Sequence, residues 1–444
     1  MQFKKRSSVE LHQVVIVGGG AGGLELATRL GDTLGRKGKA EITLIDRTRT
    51  HVWKPLLHEI AAGSMNPDKH ELEYLAQAHW HYFNFRLGEM DGLDRAKKEV
   101  YISANYDENG AEIIPRRTIK YDTLIIAIGS TTNDFGIKGA RENSIALDTM
   151  DQAERFHRRL HNALVRAQTQ AGPVHAGQLE VVIVGAGATG VELSAELHNT
   201  TRELAAYGLD KIDPDKDISI SLIEASDRVL PALPVNLSKA VDLELRKLRV
   251  HVYAGERVTE VTDKGIYTHS GRFIPSELVV WAAGIKAPDF LKDLDGLESN
   301  RINQLVVKST LQTTVDENVF AFGDCAACPR LGSVENVPPR AQAAHQQASM
   351  LIKTVKAKIS NKALPSYVYR DYGSLVNLGR YSTVGSLMGS LSGGTMYIEG
   401  LFARLMYQSL YKMHLIALHG FFTVFLQTLA RMITRRTEPQ VKLH

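Results

Sequence analysis

The sequence of 444 residues predicts an α/β protein with two domains of parallel sheet, because one strand–turn–helix segment occurs twice. Residues 14–30 read VVIVGGGAGGLELATRL and residues 181–197 read VVIVGAGATGVELSAEL, with 11 of 17 positions identical. In each copy a β-branched apolar run, typical of a buried strand, leads through glycines into a helical pattern. This order opens a Rossmann-type dinucleotide-binding domain, so the sequence predicts two such domains in one chain.

Each copy carries the full Gly-x-Gly-x-x-Gly motif. The first glycine permits a tight turn, the second lets the backbone approach a pyrophosphate, and the third lets the helix pack closely on the strand. The partial positive charge at the helix N-terminus then favours phosphate. The alternative, two tight turns without a ligand, does not explain why the whole motif recurs in the same context. The six glycines are Gly18, Gly20 and Gly23, and Gly185, Gly187 and Gly190.

An acidic residue that binds the adenosine ribose is expected at the end of the second strand of each domain. The segments EITLIDR and ISISLIEAS place Asp46 and Glu224 there. The spacing to Glu224 is longer than usual, which an insertion over 207–217 explains. Glu224 would repel a 2′-phosphate and so favours NADH over NADPH, although Arg228 would weaken that preference. The alternative role for both acids is a solvated strand end.

Three further segments resemble strand ends that face a ligand. The strands YDTLIIAIGS and LVVWAAGI lead to Gly129 and Gly284, and NVFAFGDCAACP contains Gly323 and Asp324. A hairpin is predicted over 99–121, with its turn at 107–110. The expected division is a first domain over 11–147 and 291–370, a second domain over 148–290, and a C-terminal region over 371–444.

Composition fits a globular protein, with 44% apolar and 23% charged residues. The net charge of +4 is too small to indicate a nucleic-acid partner and is compatible with an anionic membrane surface. Two cysteines do not form a disulfide framework. No secretory signal is expected. Because no uninterrupted apolar run reaches about 20 residues, neither a transmembrane helix nor proton pumping is expected.

The C-terminal region predicts amphipathic helices that lie in a lipid interface. Gly420 should separate a first helix from a second apolar stretch over 421–433. We expect residues 398–436 to contact an anionic lipid surface; the alternative is packing on the protein itself or at a dimer contact. The first helix has apolar positions 401, 402, 405, 406, 410 and 413 and a polar row at Arg404, Gln408 and Lys412; the basic end comprises Arg431, Arg435 and Arg436.

The paired glycine motifs, the AIGS and WAAG strand ends and the Gly-Asp pair resemble the two-dinucleotide-binding-domain flavoproteins of the glutathione reductase type. Within these, the chain is similar to the bacterial type II NADH dehydrogenases (NADH:quinone oxidoreductases). The segments that carry the second resemblance are HVWKPLLHEIAAG at 51–63, GATGVELSAELH at 187–198, WAAGIKAPDFL at 281–291, Ala-Gln-x-Ala-x-Gln at 341–346 and the basic C-terminus.

The resemblance implies that the first domain binds FAD, that the second binds NADH, and that electrons pass to a membrane quinone. It places Asp324 at the ribityl–phosphate part of FAD, Lys54 near the isoalloxazine and Glu192 by the nicotinamide. It also implies a respiratory-chain protein on the cytoplasmic face of a bacterial inner membrane, with a homodimer as an open alternative and no metal site. The expected FAD residues are Gly18, Gly20, Gly23, Asp46, Lys54, Gly129, Gly323 and Asp324; the NADH residues are Gly185, Gly187, Gly190, Glu224 and Gly284.

Glu192 is the candidate catalytic residue, because a carboxylate near the helix start could hydrogen-bond the nicotinamide. The alternative is a helix cap, since Glu25 occupies the same place in the first copy. Gln342 and Gln346 are four residues apart and share one helix face, where neutral amides could bind a quinone carbonyl. Their alternative is packing on FAD or backbone. His345 faces elsewhere by spacing and is a weak candidate proton donor.

Cys325-Ala-Ala-Cys328 leaves one rival function open. A Cys-x-x-Cys next to a flavin would suit a soluble disulfide or ferredoxin reductase that uses NAD(P)H. Nothing else in the sequence indicates a thiol substrate, so two small buried residues are the preferred interpretation. A second rival is a flavin-bearing sensor without enzymatic activity.

Overall fold

Two five-stranded parallel sheets with matching strand orders organise the chain. The computed structural model describes residues 11–378, 382–389, 394–434 and 441. The helices within these residues are α1 (Ala21–Leu30), α2 (Leu57–Ala62), α3 (Tyr74–Trp80), α4 (Ala140–Asn143), α5 (Met150–Thr169), α6 (Ala188–Ala206), α7 (Val235–Lys247), α8 (Ala341–Ile359), α9 (Gly400–His419) and α10 (Phe421–Thr434). Short 3₁₀ helices span Lys54–Leu56, Pro67–Lys69, Asp289–Leu291, Leu294–Gly296 and Gly323–Cys325, and a π-helical turn spans Gly31–Gly35.

The strands are short and numerous, as two sheets with accessory hairpins require. They are β1 (His12–Val17), β2 (Ala40–Asp46), β3 (Thr50–His51), β4 (Leu72–Glu73), β5 (Asn84–Leu87), β6 (Met90–Asp94), β7 (Glu99–Ile102), β8 (Asn105–Tyr106), β9 (Glu112–Ile114), β10 (Arg117–Lys120), β11 (Thr123–Ile126), β12 (Thr131–Thr132), β13 (Ile145–Ala146), β14 (Glu180–Val184), β15 (Ser219–Glu224), β16 (His251–Ala254), β17 (Val258–Thr262), β18 (Gly265–Thr268), β19 (Phe273–Pro275), β20 (Leu278–Trp281), β21 (Ile285–Lys286), β22 (Leu305–Val306), β23 (Val319–Ala321), β24 (Ala326–Ala327), β25 (Gly373–Leu378), β26 (Ser382–Gly389) and β27 (Gly394–Glu399).

The two parallel sheets have equivalent topology. The first has the order β23-β11-β1-β2-β5 and the second the order β13-β20-β14-β15-β16. In both, the strand that leads into the glycine motif is central, and Val14 and Val182 on these strands are fully buried. Burial on both faces explains why these strands are continuous apolar runs without alternation. The duplication predicted from the sequence is therefore confirmed as a repeated sheet.

Each parallel sheet is accompanied by a three-stranded antiparallel sheet. The strands of β10-β7-β6 lie in sequence between β5 and β11 of the first sheet, and those of β17-β18-β19 lie between β16 and β20 of the second. The hairpin predicted over 99–121 is confirmed, since β7 pairs with β10 and β8 pairs with β9. Its turn is closed by Asp107, whose backbone N–H donates to the Ala111 carbonyl over 2.9 Å.

The chain divides into two compact units. The first comprises residues 1–52, 71–130 and 286–369, and the second comprises 53–70, 131–285 and 370–444. The domain limits predicted at 147, 290 and 370 stay a prediction; the compact units separate at 130, 285 and 369, and segment 53–70 belongs to the second unit. The assignment of domains to particular dinucleotides stays a prediction.

The C-terminal region contains an antiparallel sheet, β25-β26-β27, that the sequence analysis missed. The two predicted helices, α9 and α10, do follow it, and Gly420 separates them with a φ of +79°. The left-handed conformation suits glycine at a helix end. Arg435 and Arg436 lie outside the described residues, as do the side chains of 401–408, 410 and 431–434. No helix of the described chain is long and apolar enough to span a bilayer.

The glycine helices lie unusually close to the strands that precede them. A Cβ added to Gly23 would lie 1.8 Å from the Gly18 carbonyl oxygen, and one added to Gly190 would lie 2.0 Å from that of Gly185. In contrast, a Cβ added to Gly20 would meet no atom within 4 Å. The third glycine is thus required by packing, whereas the middle glycine leaves space open.

These two kinds of glycine predict separable defects in the first unit. Gly23→Ala should lower the free energy of unfolding of the cofactor-stripped protein by about 1–3 kcal/mol, because backbone must move to admit the methyl group. Gly20→Ala should change it by less than about 0.5 kcal/mol but weaken dinucleotide binding. Urea unfolding and the flavin content of the purified variants measure the two effects. Equal destabilisation by both substitutions would contradict this division.

Candidate functional site

The first candidate site lies at the carboxyl ends of parallel strands in the first unit. Gly18 follows β1, Asp46 ends β2, Gly129 follows β11, and Gly323 and Asp324 follow β23. Because these four strands are neighbours in the sheet, their ends meet along one edge. Ligands of open α/β sheets bind at this edge, where the strand order reverses.

Asp46 is anchored to the glycine turn. Its Oδ2 accepts from the Gly19 backbone N–H over 2.6 Å, and its Oδ1 accepts from the Thr48 backbone N–H over 2.8 Å. The carboxylate is therefore held beside the place where a ribose bound at this strand end would lie. This agrees with the role predicted for the residue.

Two side chains that the sequence analysis did not single out hold the same turn. His51 Nδ1–H donates to the Gly19 carbonyl over 2.9 Å, and the Tyr74 hydroxyl donates to it over 2.7 Å. Burial lowers the pKa of His51 to about 4, so the ring is neutral at pH 7. No local sequence pattern marks His51 or Tyr74 for this role, because each meets Gly19 only through the tertiary fold.

The second candidate site repeats this geometry in the second unit. Glu224 ends β15, and its Oε2 accepts from the Ala186 backbone N–H over 2.9 Å, at the position equivalent to Gly19. Its Oε1 accepts from the Ser226 backbone N–H over 2.8 Å. Gly284 follows β20, and a Cβ there would lie 2.3 Å from the Phe135 ring. The structure thus brings together the predicted NADH residues at one sheet edge.

The starts of α1 and α6 fit a pyrophosphate. Gly20 and Gly187 are the N-cap residues of these helices, so no N-cap side chain accepts a hydrogen bond from the first backbone N–H groups. A Cβ at either glycine would meet nothing within 4 Å. Backbone N–H groups of a helix start that faces open space are the donors that phosphate oxygens require. The residues present in each unit therefore fit one dinucleotide, as the predicted FAD site in the first unit and the predicted NADH site in the second require.

Asp324 is positioned by neighbouring polar groups. Its Oδ2 accepts from the Ser130 hydroxyl over 2.9 Å, and its carbonyl accepts from Gln304 Nε2–H over 2.9 Å. Cys325 and Cys328 beside it are buried. Burial raises the pKa of both thiols to about 11, so they are protonated at neutral pH and are poor nucleophiles.

Helix α8 presents the predicted quinone residues Gln342 and Gln346, both partly exposed. The Tyr367 hydroxyl lies 3.5 Å from Gln346 Oε1. The neighbouring Gln347 was not predicted, yet it is buried and its Oε1 accepts from the Gly323 backbone N–H over 2.8 Å. Gln347 therefore fixes α8 over the strand end after β23.

His345 does not project freely from α8. Its Nδ1 lies 2.6 Å from Oε2 of the buried Glu25, whose Oε1 accepts from Arg29 Nη1–H over 3.1 Å. The hydrogen bond to Glu25 raises the pKa of His345. The pair ties α8 to α1, and it shows that Glu25 is a packing residue and not a cap.

Glu192, the duplicate of Glu25, is not a cap either. Its Oε1 accepts from the Asn377 backbone N–H over 3.0 Å, and its Oε2 lies 3.7 Å from His58 Nδ1. Lys54, predicted for FAD, lies with His58 in the segment 53–70 of the second unit and is exposed. The role of Lys54 therefore stays a prediction.

Comparison with known proteins identifies relatives over nearly the whole chain. The family model of the pyridine nucleotide-disulphide oxidoreductases matches residues 12–348. A type II NADH:quinone oxidoreductase of Haemophilus influenzae is 44% identical over 98% of this chain and 100% of its own. One of Mycobacterium tuberculosis is 29% identical over 96% of this chain and 89% of its own. The structure of NDH2 from Plasmodium falciparum in complex with NADH shares the fold, with a TM-score of 0.78, 19% identity and coverage of 94% and 98%.

The Glu25–His345 pair predicts a pH-dependent stability. Because folding raises the pKa of His345 above the ordinary histidine value of 6.5, the stabilisation is fully present below that value and is lost as the pH rises through the folded pKa. Wild type should exceed His345→Gln in unfolding free energy by a few tenths to about 1 kcal/mol at pH 6, and by less at pH 9. Urea titrations at both pH values test this. In a Glu25→Gln background the pH dependence of the difference should vanish; its persistence would count against the pair.

Proposed function

The chain belongs to the type II NADH:quinone oxidoreductases, within the pyridine nucleotide-disulphide oxidoreductases, and we propose that it transfers electrons from NADH through FAD to a membrane quinone. Two dinucleotide sites are supported by the same open glycine turn, with an acid anchored beside it, which occurs once in each unit. The quinone as electron acceptor is supported by the 44% identity to a type II NADH:quinone oxidoreductase. The net reaction converts NADH, one proton and quinone into NAD⁺ and quinol. When bound, FAD supplies the two-electron chemistry that connects these two substrates.

The protein's own residues bind and orient the two dinucleotides. In the first unit, Asp46 and the start of α1 bind ribose and pyrophosphate, and Asp324 lies at the ribityl–phosphate part. In the second unit, Glu224 accepts from the ribose hydroxyls of NADH and would repel a 2′-phosphate. Arg228 donates to the Pro231 carbonyl over 2.9 Å, so its guanidinium is engaged by backbone and does not offset Glu224 fully.

Gln342 and Gln346 are proposed to bind a quinone carbonyl. Both amides lie on the first turns of α8, which Gln347 and His345 fix to the rest of the first unit. A neutral amide N–H can stabilise a carbonyl oxygen in an apolar site without the cost of a buried charge. The contacts of Gln347 and His345 hold α8 in place, and the two proposed glutamines lie partly exposed on the same helix.

The surface of α10 favours attachment to a lipid interface. Phe421, Phe422, Phe425, Leu426 and Leu429 are exposed, with Phe422 at 72%. Val424 on the same helix is buried, so α10 has one face on the protein and a separate apolar face toward solvent. A contiguous apolar face of this kind is typical of interfacial helices. We place the protein on the cytoplasmic face of the bacterial inner membrane, where NADH is available; a homodimer stays a prediction.

The buried cysteines disfavour the rival dithiol reductase. A redox-active pair must present a thiolate to its substrate, whereas Cys325 and Cys328 are inaccessible and protonated at neutral pH. Solved structures of a persulfide reductase from A. fulgidus and a ferredoxin reductase from Rhodopseudomonas palustris are 22% and 20% identical to this chain and show only a shared fold.

The proposed function predicts two half-reactions that can be seen separately. Anaerobic NADH should bleach the flavin absorbance of the purified protein, and a soluble quinone analogue should restore it. NADPH at the same concentration should bleach it at least about 10-fold more slowly, because the 2′-phosphate meets Glu224. Cys325→Ala/Cys328→Ala should complete the same cycle. If NADH bleaches the flavin but quinone does not restore its absorbance, the assignment as a quinone reductase is wrong. Loss of turnover in the cysteine variant would favour the dithiol reductase.

The exposed face of α10 predicts how the protein binds membranes. Phe422→Ser/Phe425→Ser/Leu429→Ser should reduce co-sedimentation with phosphatidylglycerol-containing vesicles at least about 10-fold. The reason is that burial of each of these exposed side chains in lipid contributes roughly 1.5–3 kcal/mol of binding free energy. Bleaching by NADH should be unchanged. Val235→Ser/Leu243→Ser, which alters exposed apolar residues of α7, is the matched control and should bind as wild type. Equal vesicle binding by both variants would remove α10 from the interface.

A further inference from the structure

We propose that His58 is a positioning residue for NADH: it holds the Glu192 carboxylate of α6 in the orientation that receives the nicotinamide end of the bound dinucleotide. The proposal rests on the proposed function and adds a residue to it. Glu192 lies two residues after Gly190, on the helix whose start fits the NADH pyrophosphate. Its side chain is 8% exposed and that of His58 is 2% exposed. Two buried polar groups that face each other at 3.7 Å require a physical reason.

The duplicated helix shows why Glu192 needs a different partner from Glu25. In α1 the buried Glu25 is followed four residues later by Arg29, which forms an ion pair with it at 3.1 Å. In α6 the residue four positions after Glu192 is Glu196. A like charge at this spacing opposes a buried carboxylate instead of stabilising it. Partners from outside the helix must therefore stabilise Glu192, and His58 and Asn377 lie where such partners are needed.

His58 is neutral, so its ring carries a single N–H. Burial lowers the pKa of His58 to about 4, and this N–H donates to the Pro55 carbonyl, which fixes the ring. At 3.7 Å from Oε2, Nδ1 is beyond a direct hydrogen bond, so the fixed ring limits the space that the carboxylate can occupy. With Oε1 accepting from Asn377 N–H, the carboxylate is bracketed from two sides.

The segment that carries His58 is held in place at both of its ends. The Trp53 ring lies 4.2 Å from that of His414, measured between centroids, and His70 Nδ1 lies 3.3 Å from the Tyr411 hydroxyl. Between them, α2 packs on α5 and α6. A fixed segment makes His58 a rigid wall for Glu192. A carboxylate held rigidly can accept from a ligand amide without first being reoriented, which is the advantage of a preorganised site.

The test compares two amide substitutions of His58, which place the side-chain N–H donor at different positions. His58→Asn keeps an N–H donor at the place of Nδ1, whereas His58→Gln moves it to the place of Nε2. We expect His58→Gln to slow anaerobic flavin reduction by NADH, and to raise the dissociation constant of NAD⁺, by about 10-fold each. His58→Asn should restore most of both quantities. NAD⁺ titration of the oxidised protein is a binding readout that does not depend on turnover.

A double-mutant cycle decides whether His58 acts through Glu192. The variant His58→Gln/Glu192→Gln should be no worse than Glu192→Gln alone, because the partner is already lost. The matched control is His157→Leu, which removes another buried histidine that packs at Gly63, just after α2. When His157→Leu is combined with Glu192→Gln, the fold-changes of the two single variants in flavin reduction and in NAD⁺ binding should multiply.

Multiplying effects of His58→Gln and Glu192→Gln would overturn the proposal, as would wild-type behaviour of His58→Gln or equal defects in His58→Asn and His58→Gln. These outcomes concern NADH binding and flavin reduction only. If quinone fails to reoxidise the flavin of the wild-type protein, the proposed function is rejected. The double-mutant cycle, measured on NADH binding and flavin reduction, would still decide the role of His58.

Discussion

The close approach of each glycine helix to the strand before it is the constraint on which both units depend. Gly23 and Gly190 lie so near the carbonyl of the first motif glycine that no side chain fits. This contact sets the helix start directly above the strand end, with its N–H groups facing open space. Asp46 and Glu224 can then reach the turn with one oxygen each. The open helix start and the acid anchored beside it are thus consequences of one backbone arrangement, formed twice.

The two copies diverge where they meet the rest of the chain. Glu25 has become part of a packing tie with Arg29 and His345 that holds α8 on α1. Glu192 faces His58 and Asn377 from elements that the first copy has no equivalent for. Since a buried carboxylate is costly without partners, each copy had to recruit its own. The first set of partners ties α8 to α1, whereas the second holds the Glu192 carboxylate near the start of α6.

The C-terminal region is integrated with the second unit and is more than an appended anchor. Asn377 of β25 donates to Glu192, and His414 of α9 packs on Trp53. Leu415 and Leu418 of α9 are buried, whereas the phenylalanines that begin α10 are exposed. Deleting everything from residue 398 would therefore expose core residues in addition to removing the proposed lipid-facing side of α10. Substitution of exposed α10 side chains separates these two effects.

The sequence alone determined the duplicated glycine units, the positions of Asp46 and Glu224 at strand ends, the hairpin over 99–121 and the helix break at Gly420. Each of these depends on local periodicity or on the backbone freedom of glycine. Only tertiary structure decided that Glu25 meets His345, and which groups meet Glu192, Gly19 and Gly323, since these contacts join residues distant in sequence. The sheet over 373–399 was also invisible beforehand, because its segments carry many small and polar residues. Local chemistry specifies turns and strand ends, whereas long-range packing chooses which buried polar groups meet.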